Sequence, residues 1–213
     1  MKVALIGATG FVGSVLLQEL LQRGHRVTAL ARHPAKLSVH DGLAVRQADV
    51  LDAAQVAAAV QGQDAVLSAY NPGWGEPDIH DLFLKGSDAI LAGVQQAGVK
   101  RYVTVGGAGS LYVAPGVQLV DTPDFPAAYK PGALAAREAL NRIRAASTLD
   151  WTFVSPPILL EPGERTGRYR LGEDAPLMDG DQPGRISVAD LAVAIVDELE
   201  TPRHLQRRFT LAH

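Results

Sequence analysis

"KVALIGATGFVGSVLLQELLQRG", residues 2–24, is the stretch on which the fold turns. "KVALIG" reads as a buried strand: short, apolar and ended by glycine. Gly7, Gly10 and Gly13 then fall at intervals of three. From Phe11 onward, apolar residues at 11, 12, 15, 16, 20 and 21 have helical spacing, and Gly24 supplies the C-terminal stop. A strand that runs through a bare loop into a helix opens a βα unit. Residues downstream repeat the alternation. "HRVTALA" (25–31), "LAVRQAD" (43–49), "DAVLSAY" (64–70), "KRYVTVGG" (100–107), "DWTFVSPP" (150–157) and "RRFTLA" (207–212) read as strands. Helices are expected over "DAAQVAAAVQG" (52–62), 78–98, 132–146 and 187–200.

Strands apolar on both faces, alternating with helices, predict an α/β fold: a doubly wound parallel sheet, Rossmann-like, in one domain over 1–213. Two Gly- and Pro-rich segments, 107–129 and 156–186, are too long for plain connectors. They are expected as elaborated loops at the carboxyl end of the sheet, where open parallel sheets bind ligands. Arg165, Arg168 and Arg170 lie in the second loop among Glu161, Glu164, Glu173 and Asp174 and read as a solvated cluster.

Bulk composition narrows the partners. The chain has 213 residues, 47% hydrophobic and 20% charged, with a net charge of -3, so no nucleic-acid footprint is expected. The absence of cysteine rules out disulfides and thiolate catalysis. Six scattered histidines without metal-ligand spacing predict no metal site. No run of residues approaches the ~20 apolar positions a membrane span needs, and the N-terminal apolar run stops at Ile6; a cytoplasmic monomer or homodimer is expected.

In a doubly wound fold the first strand-to-helix turn holds a dinucleotide pyrophosphate. Glycines allow close backbone approach, and the helix N-terminus offers unpaired N–H groups. The pattern here is G-x-x-G-x-x-G, with Thr9 where the common dinucleotide motif has a glycine. "GATGFVG" at this place resembles the atypical short-chain dehydrogenase/reductases. "YVTVGGAGSL", "DFPAAYKPGALAAREAL", "LDWTFVSPP" and "EPGERTGRYRLGED" resemble their NADH-flavin reductase branch, which is related to NmrA-like proteins and biliverdin reductase B. The resemblance covers essentially the whole chain.

It implies a nicotinamide cofactor on Gly7, Thr9, Gly10, Phe11, Val12 and Gly13. NAD-preferring relatives place an acidic residue at the end of the second strand, yet none occurs between Glu19 and Asp41. Arg32, His33 and Lys36 stand there instead, so NADP(H) is the expected cofactor and NAD(H) the alternative. The resemblance further implies Asp49, with Val50, beside the adenine, although a turn role for Asp49 is an equal reading. It also implies Ser68, Ala69, Tyr70 and Asn71 beside the nicotinamide ribose, Gly106 and Gly107 after the fifth strand, and Ser155 and Pro156 behind the nicotinamide.

Many relatives carry Tyr-x-x-x-Lys, in which lysine tunes the tyrosine for proton transfer. Four residues beyond Tyr70, Tyr102, Tyr112, Tyr129 and Tyr169 stand Trp74, Gly106, Gly116, Ala133 and Glu173, so the pair is absent. Reduction of a flavin or quinone, which needs positioning more than a tuned acid, is therefore expected. Tyr70, Trp74, Leu111, Phe125 and Tyr129 are candidates for the acceptor wall. Tyr129 and Ser110 are the candidate catalytic hydrogen-bond donors, and Trp151 is expected in the core. The alternative is an NADP(H)-binding sensor of NmrA-like type.

Overall fold

The computed structural model describes residues 1–145 and 148–213, without the Lys36 side chain. Eight strands form the central sheet: β1 (Lys2–Ile6), β2 (Arg26–Ala31), β3 (Leu43–Gln47), β4 (Ala65–Ser68), β5 (Arg101–Val105), β6 (Asp150–Ser155), β7 (Arg170–Gly172) and β8 (Arg207–Ala212). Their order is β7-β8-β6-β5-β4-β1-β2-β3. Five helices cover it: α1 (Phe11–Gln22), α2 (Ala53–Val60), α3 (Ile79–Gln96), α4 (Lys130–Arg144) and α5 (Val188–Glu200). Ala146, the last residue of the helix expected over 132–146, lies outside the described residues.

Both faces of the sheet are buried because successive side chains of each strand point to opposite sides. Val3 and Leu5 of β1 join Leu16 and Leu20 of α1 and Leu191, Ile195 and Leu199 of α5. Ala4 and Ile6, one residue out of phase, join Val56 and Val60 of α2, Ile90 and Val94 of α3, and Leu140 and Ile143 of α4. Trp151 is 3% exposed in the second cluster, as expected. Each fully buried side chain of this kind contributes about 1.5–3 kcal/mol. Chain order reverses between β1 and β4, which pair in parallel, and the crevice of a doubly wound sheet opens above such a junction.

Two expectations need correction. The sheet is not wholly parallel, because β7 pairs antiparallel with β8 at one edge. That strand lies inside the segment read as loop 156–186, where three residues are too few to show a period. Nor is this segment confined to the carboxyl end of the sheet. Leu160 and Tyr169 pack on the α1–α5 core, so the chain straps that face before reaching the edge. The arginines are exposed, as expected, yet two of them are tied down. Arg165 clamps Glu19 of α1 with two bonds of 2.8 and 2.9 Å, and Arg170 donates to the carbonyls of His213 and Met178. The Glu19 carboxyl is held below the ordinary range, first by Arg165 against the opposing effect of burial, then by Arg23. The strap is pinned again at Asp190, which is fully buried and accepts from Thr166 N, Thr166 Oγ1 and Gly167 N. Burial pushes the Asp190 carboxyl up, but these bonds and its contact with His213 outweigh it and hold the group low.

Candidate functional site

The loop after β1 meets the loop after β4 at the crest of the crevice. Gly7 takes φ +84°, a backbone state that side chains rarely adopt, and a Cβ there would stand 2.5 Å from the Ala69 carbonyl oxygen. A Cβ on Gly13 would stand 1.9 Å from the Gly7 carbonyl oxygen. These two glycines are thus required by the protein itself: one turns the chain, the other seats α1 against the loop.

Gly10 differs. Its backbone is extended (φ -82°, ψ 174°), it is exposed, and the nearest atom to an added Cβ is the Gly7 oxygen at 3.4 Å. Nothing in the protein demands glycine there. It is also the N-cap of α1, with no side-chain cap, whereas Asp52 caps α2 and Ser187 caps α5. Gly10 N donates to Gly7 O at 2.9 Å and Ser14 N to Gly10 O at 2.9 Å. The N–H groups of Phe11, Val12 and Gly13 between them belong to the first helical turn, which lacks intrahelical acceptors. Thr9 and Phe11 are exposed beside them, and Val12 is half-buried.

At the end of β2, Arg32 is exposed and its side chain makes no hydrogen bond within the described protein; His33 is exposed as well. The Lys36 side chain lies outside the described residues. Asp49 serves the turn, since Oδ1 accepts from Leu51 N at 3.0 Å, while Oδ2 has no partner among the described residues. Val50 packs at the edge of the α2–α4 core.

Several expected side chains face elsewhere. The Tyr70 ring lies against Gly86 of α3, where a Cβ would come within 2.3 Å of it, and its hydroxyl donates to Leu82 O at 2.9 Å. Burial pushes that hydroxyl's pKa up. Tyr70 is therefore no wall for an acceptor. Ser68 is 1% exposed and Ser155 fully buried, with Ser155 Oγ unpartnered. Their side chains do not line the crest, and Pro156 is buried beside Ser155. Ala69 and Asn71 remain at the crest, with Asn71 Oδ1 accepting from Gly73 N at 2.7 Å. Gly106 is required by packing, for a Cβ would meet the Phe153 ring at 1.9 Å, whereas Gly107 has open space around it.

Ser110 also needs correction. It is 2% exposed, and the buried Arg208 of β8 donates to both its carbonyl (2.8 Å) and its hydroxyl (2.9 Å). Arg208 further binds Asp174, which ties loop 107–111 to the sheet edge. Leu111, expected in the acceptor wall, is fully buried. The second of two adjacent arginines in "RRFTLA" carries no local sign of this long-range role.

Two expected wall residues do meet. Trp74 and Tyr129, 55% and 51% exposed, form an edge-to-face pair with ring centroids 5.2 Å apart. Trp74 follows β4 and Tyr129 caps α4 after β5, so both stand at the carboxyl end of the sheet. Trp74 rests on Gly132 in the first turn of α4. Phe125 is half-buried in the same loop. Ile158 is 38% exposed just after the Pro156-Pro157 turn that follows β6.

Comparison with known proteins agrees with this architecture. A Burkholderia pseudomallei crystal structure, provisionally assigned as an exported protein, is 46% identical, with all of both chains covered and a TM-score of 0.90. A Bacteroides thetaiotaomicron structure, provisionally assigned as an epimerase, is 46% identical over all of this chain and 96% of that one, with a TM-score of 0.93. A Streptococcus pneumoniae structure, provisionally assigned as an NADH-flavin reductase, is 35% identical over 100% and 99% of the two chains, with a TM-score of 0.87. Three different descriptions attach to one fold. Among the described residues no helix is long and apolar enough to cross a membrane. The profile of the NAD(P)H-binding family matches residues 7–199, and the chain belongs to that family.

Proposed function

We propose that this protein is an NADPH-dependent reductase that delivers hydride directly to a flat conjugated acceptor, a flavin or a quinone. The observation that carries the reading is the exposed Trp74–Tyr129 pair, at the same carboxyl end of the sheet as the glycine loop, in a chain with no Tyr-x-x-x-Lys pair. The site accommodates a dinucleotide because Gly10 leaves open space at an uncapped helix N-terminus. Gly7, Thr9, Gly10 and the first-turn N–H groups of Phe11, Val12 and Gly13 hold the pyrophosphate. Arg32 and Lys36 grip the 2'-phosphate, and the free Asp49 oxygen, with Val50 beside it, meets the adenine side. Backbone groups of Ala69, Tyr70 and Asn71, and the open strand end at Gly106 and Gly107, flank the nicotinamide ribose, with Pro156 behind. When bound, the nicotinamide supplies the hydride.

The chain's own contribution is positioning. Trp74 and Tyr129 orient the acceptor ring, and the Tyr129 hydroxyl offers a hydrogen bond. The completing proton comes from water, because Ser110 is committed to Arg208 and no lysine tunes Tyr129. Steady-state oxidation of NADPH and NADH tests this with a flavin, a quinone and a panel of aldehydes and ketones. Fast NADPH oxidation with the flavin or quinone and little with simple carbonyls is expected. In the same assay Arg32→Ala should weaken NADPH by about 1.5–3 kcal/mol, the loss of one charged hydrogen-bond set, and leave NADH nearly unchanged. Tight NADPH binding with no turnover on any acceptor would overturn the reading in favour of a sensor.

A further inference from the structure

Carboxylates crowd one end of the cleft. At the adenine end Arg32 is exposed and Asp49 is the one carboxylate assigned there. In the segments that carry Trp74 and Tyr129 carboxylates outnumber cations. Glu76 lies in the same tight turn as Trp74, with Glu76 N bonded to Gly73 O at 3.2 Å. Asp78 is the N-cap of α3 and makes no side-chain cap bond, and Asp81 lies in the first turn of that helix. Asp124 is in the loop that leads to Tyr129. All four are exposed. Glu76, Asp78 and Asp124 have no side-chain partner among the described residues, and Asp81 contacts only His80, at 2.8 Å. The cations nearby are Lys130, next to Tyr129, and Lys85, one helical turn beyond Asp81. Asp121 is not part of this balance, because Arg137 neutralises it at 2.8 Å.

We propose that this acidic rim makes the Trp74–Tyr129 site select uncharged conjugated acceptors over anionic ones bearing the same ring. The inference rests on the acceptor site proposed above and adds its charge specificity. Two of the carboxylates, Asp78 and Asp81, also complement the positive end of the α3 dipole. Glu76 and Asp124 lie outside the helix, where that role is absent, and they flank the two aromatic residues in sequence. A phosphate on the acceptor would carry its charge into this field. A single exposed charge does little, so the several carboxylates acting together give about three- to tenfold discrimination at low salt. Screening over a Debye length of about 8 Å at physiological ionic strength should shrink it.

Riboflavin and FMN isolate the effect, since they share the isoalloxazine ring and differ by a phosphate. Equilibrium dialysis of each flavin against protein saturated with NADP+ reads binding without turnover. Riboflavin should bind about three- to tenfold more tightly at low salt. The gap should close in high salt and in the triple variant Glu76→Gln, Asp78→Asn, Asp124→Asn, whose fold is checked by its melting temperature. FMN binding as tightly as riboflavin at low salt would overturn the charge selectivity while leaving the acceptor site in place. A gap that persists in the folded triple variant would overturn it too. Binding of neither flavin to the NADP+-loaded protein would remove the acceptor reading and this inference with it.

Discussion

At the amino end of the strands, beside the C-terminus of α5, Glu198 accepts from Arg101 Nη2, Thr152 Oγ1, Arg203 N, His204 N and His204 Nδ1. Nearby, Arg23 spans Glu19, Asp197 and Glu200, and Glu200 also meets His25. The carboxylates of Glu19, Asp197, Glu198 and Glu200 are all spent on neighbours. At the carboxyl end the reverse holds. Gly10 has no neighbour that requires glycine, α1 has no side-chain cap, and Arg32 and one oxygen of Asp49 have no side-chain partner among the described residues. Trp74 and Tyr129 remain half out in water. Polar groups satisfied within the chain contribute to stability, whereas groups left open at a crevice are available to a ligand. The volumes alone would mislead. A cavity of about 220 Å³ lies at the amino end, lined by Tyr169, Asp197, Glu198 and His204, but its carboxylates are already paired.

The contrast breaks most directly at Glu198. Its side chain is 4% exposed, and its removal would strand Arg101, whose own charge burial already disfavours. Glu198→Ala should cost about 3–5 kcal/mol, as for other broken buried pairs, read as a lowered denaturation midpoint. The dissociation constant for NADPH, measured on the folded fraction at low temperature, should not move. A variant that loses cofactor affinity while keeping its stability would show that the two ends do not divide their labour.

Within the glycine loop the same division can be drawn residue by residue. Gly13→Val would drive a methine carbon to within 1.9 Å of the Gly7 oxygen and should prevent α1 from docking. Gly10→Val has extended backbone, which suits a β-branched residue, and only an ordinary contact at 3.4 Å. It should fold with a nearly unchanged melting temperature. Its side chain would nonetheless occupy the space proposed for the pyrophosphate. Loss of two charged hydrogen bonds at about 1.5–3 kcal/mol each implies a drop of roughly a hundredfold or more in NADPH affinity. Titration of the folded Gly10→Val protein is the check, and unchanged affinity would refute the pyrophosphate assignment.

These two glycines also mark how far the sequence could be read. Strand and helix alternation was legible because it is local: apolar periodicity in α1 and in β1 lies within a few residues. Equal spacing of Gly7, Gly10 and Gly13 conceals that two serve packing and one is free, because the atoms that decide it, Gly7 O and Ala69 O, come from the fold. Strand β7 was invisible because its three residues gain their character only by pairing with β8 about 40 residues later. Ser110 was misread for a similar reason, since its partner Arg208 is 98 positions away. Trp74 and Tyr129 were both singled out, but their edge-to-face meeting required α4 to begin where Trp74 rests on Gly132. Short-range chemistry was readable; the partners that commit a side chain elsewhere were not.

The smallest expected effect concerns Tyr129. Its ring is half of the aromatic pair and its hydroxyl has no protein partner among the described residues, so Tyr129→Phe keeps the ring and deletes only the donor. An edge-to-face contact of this kind is worth about 0.5–1.5 kcal/mol, most of which phenylalanine retains. If the hydroxyl only orients the acceptor, kcat on a flavin should fall by at most about tenfold, well short of the ~10²–10⁴-fold that follows loss of a general acid. The pH profile distinguishes the roles further. An orienting hydroxyl leaves the profile's shape intact in the variant, whereas a proton donor takes its own limb of the profile with it. Carbonyl reduction that is fast in the wild type and abolished in Tyr129→Phe would make Tyr129 the acid. The carboxyl end would then be a site of proton transfer rather than of positioning, and the division drawn between the two ends of the sheet would have to include a committed catalytic group at the crest.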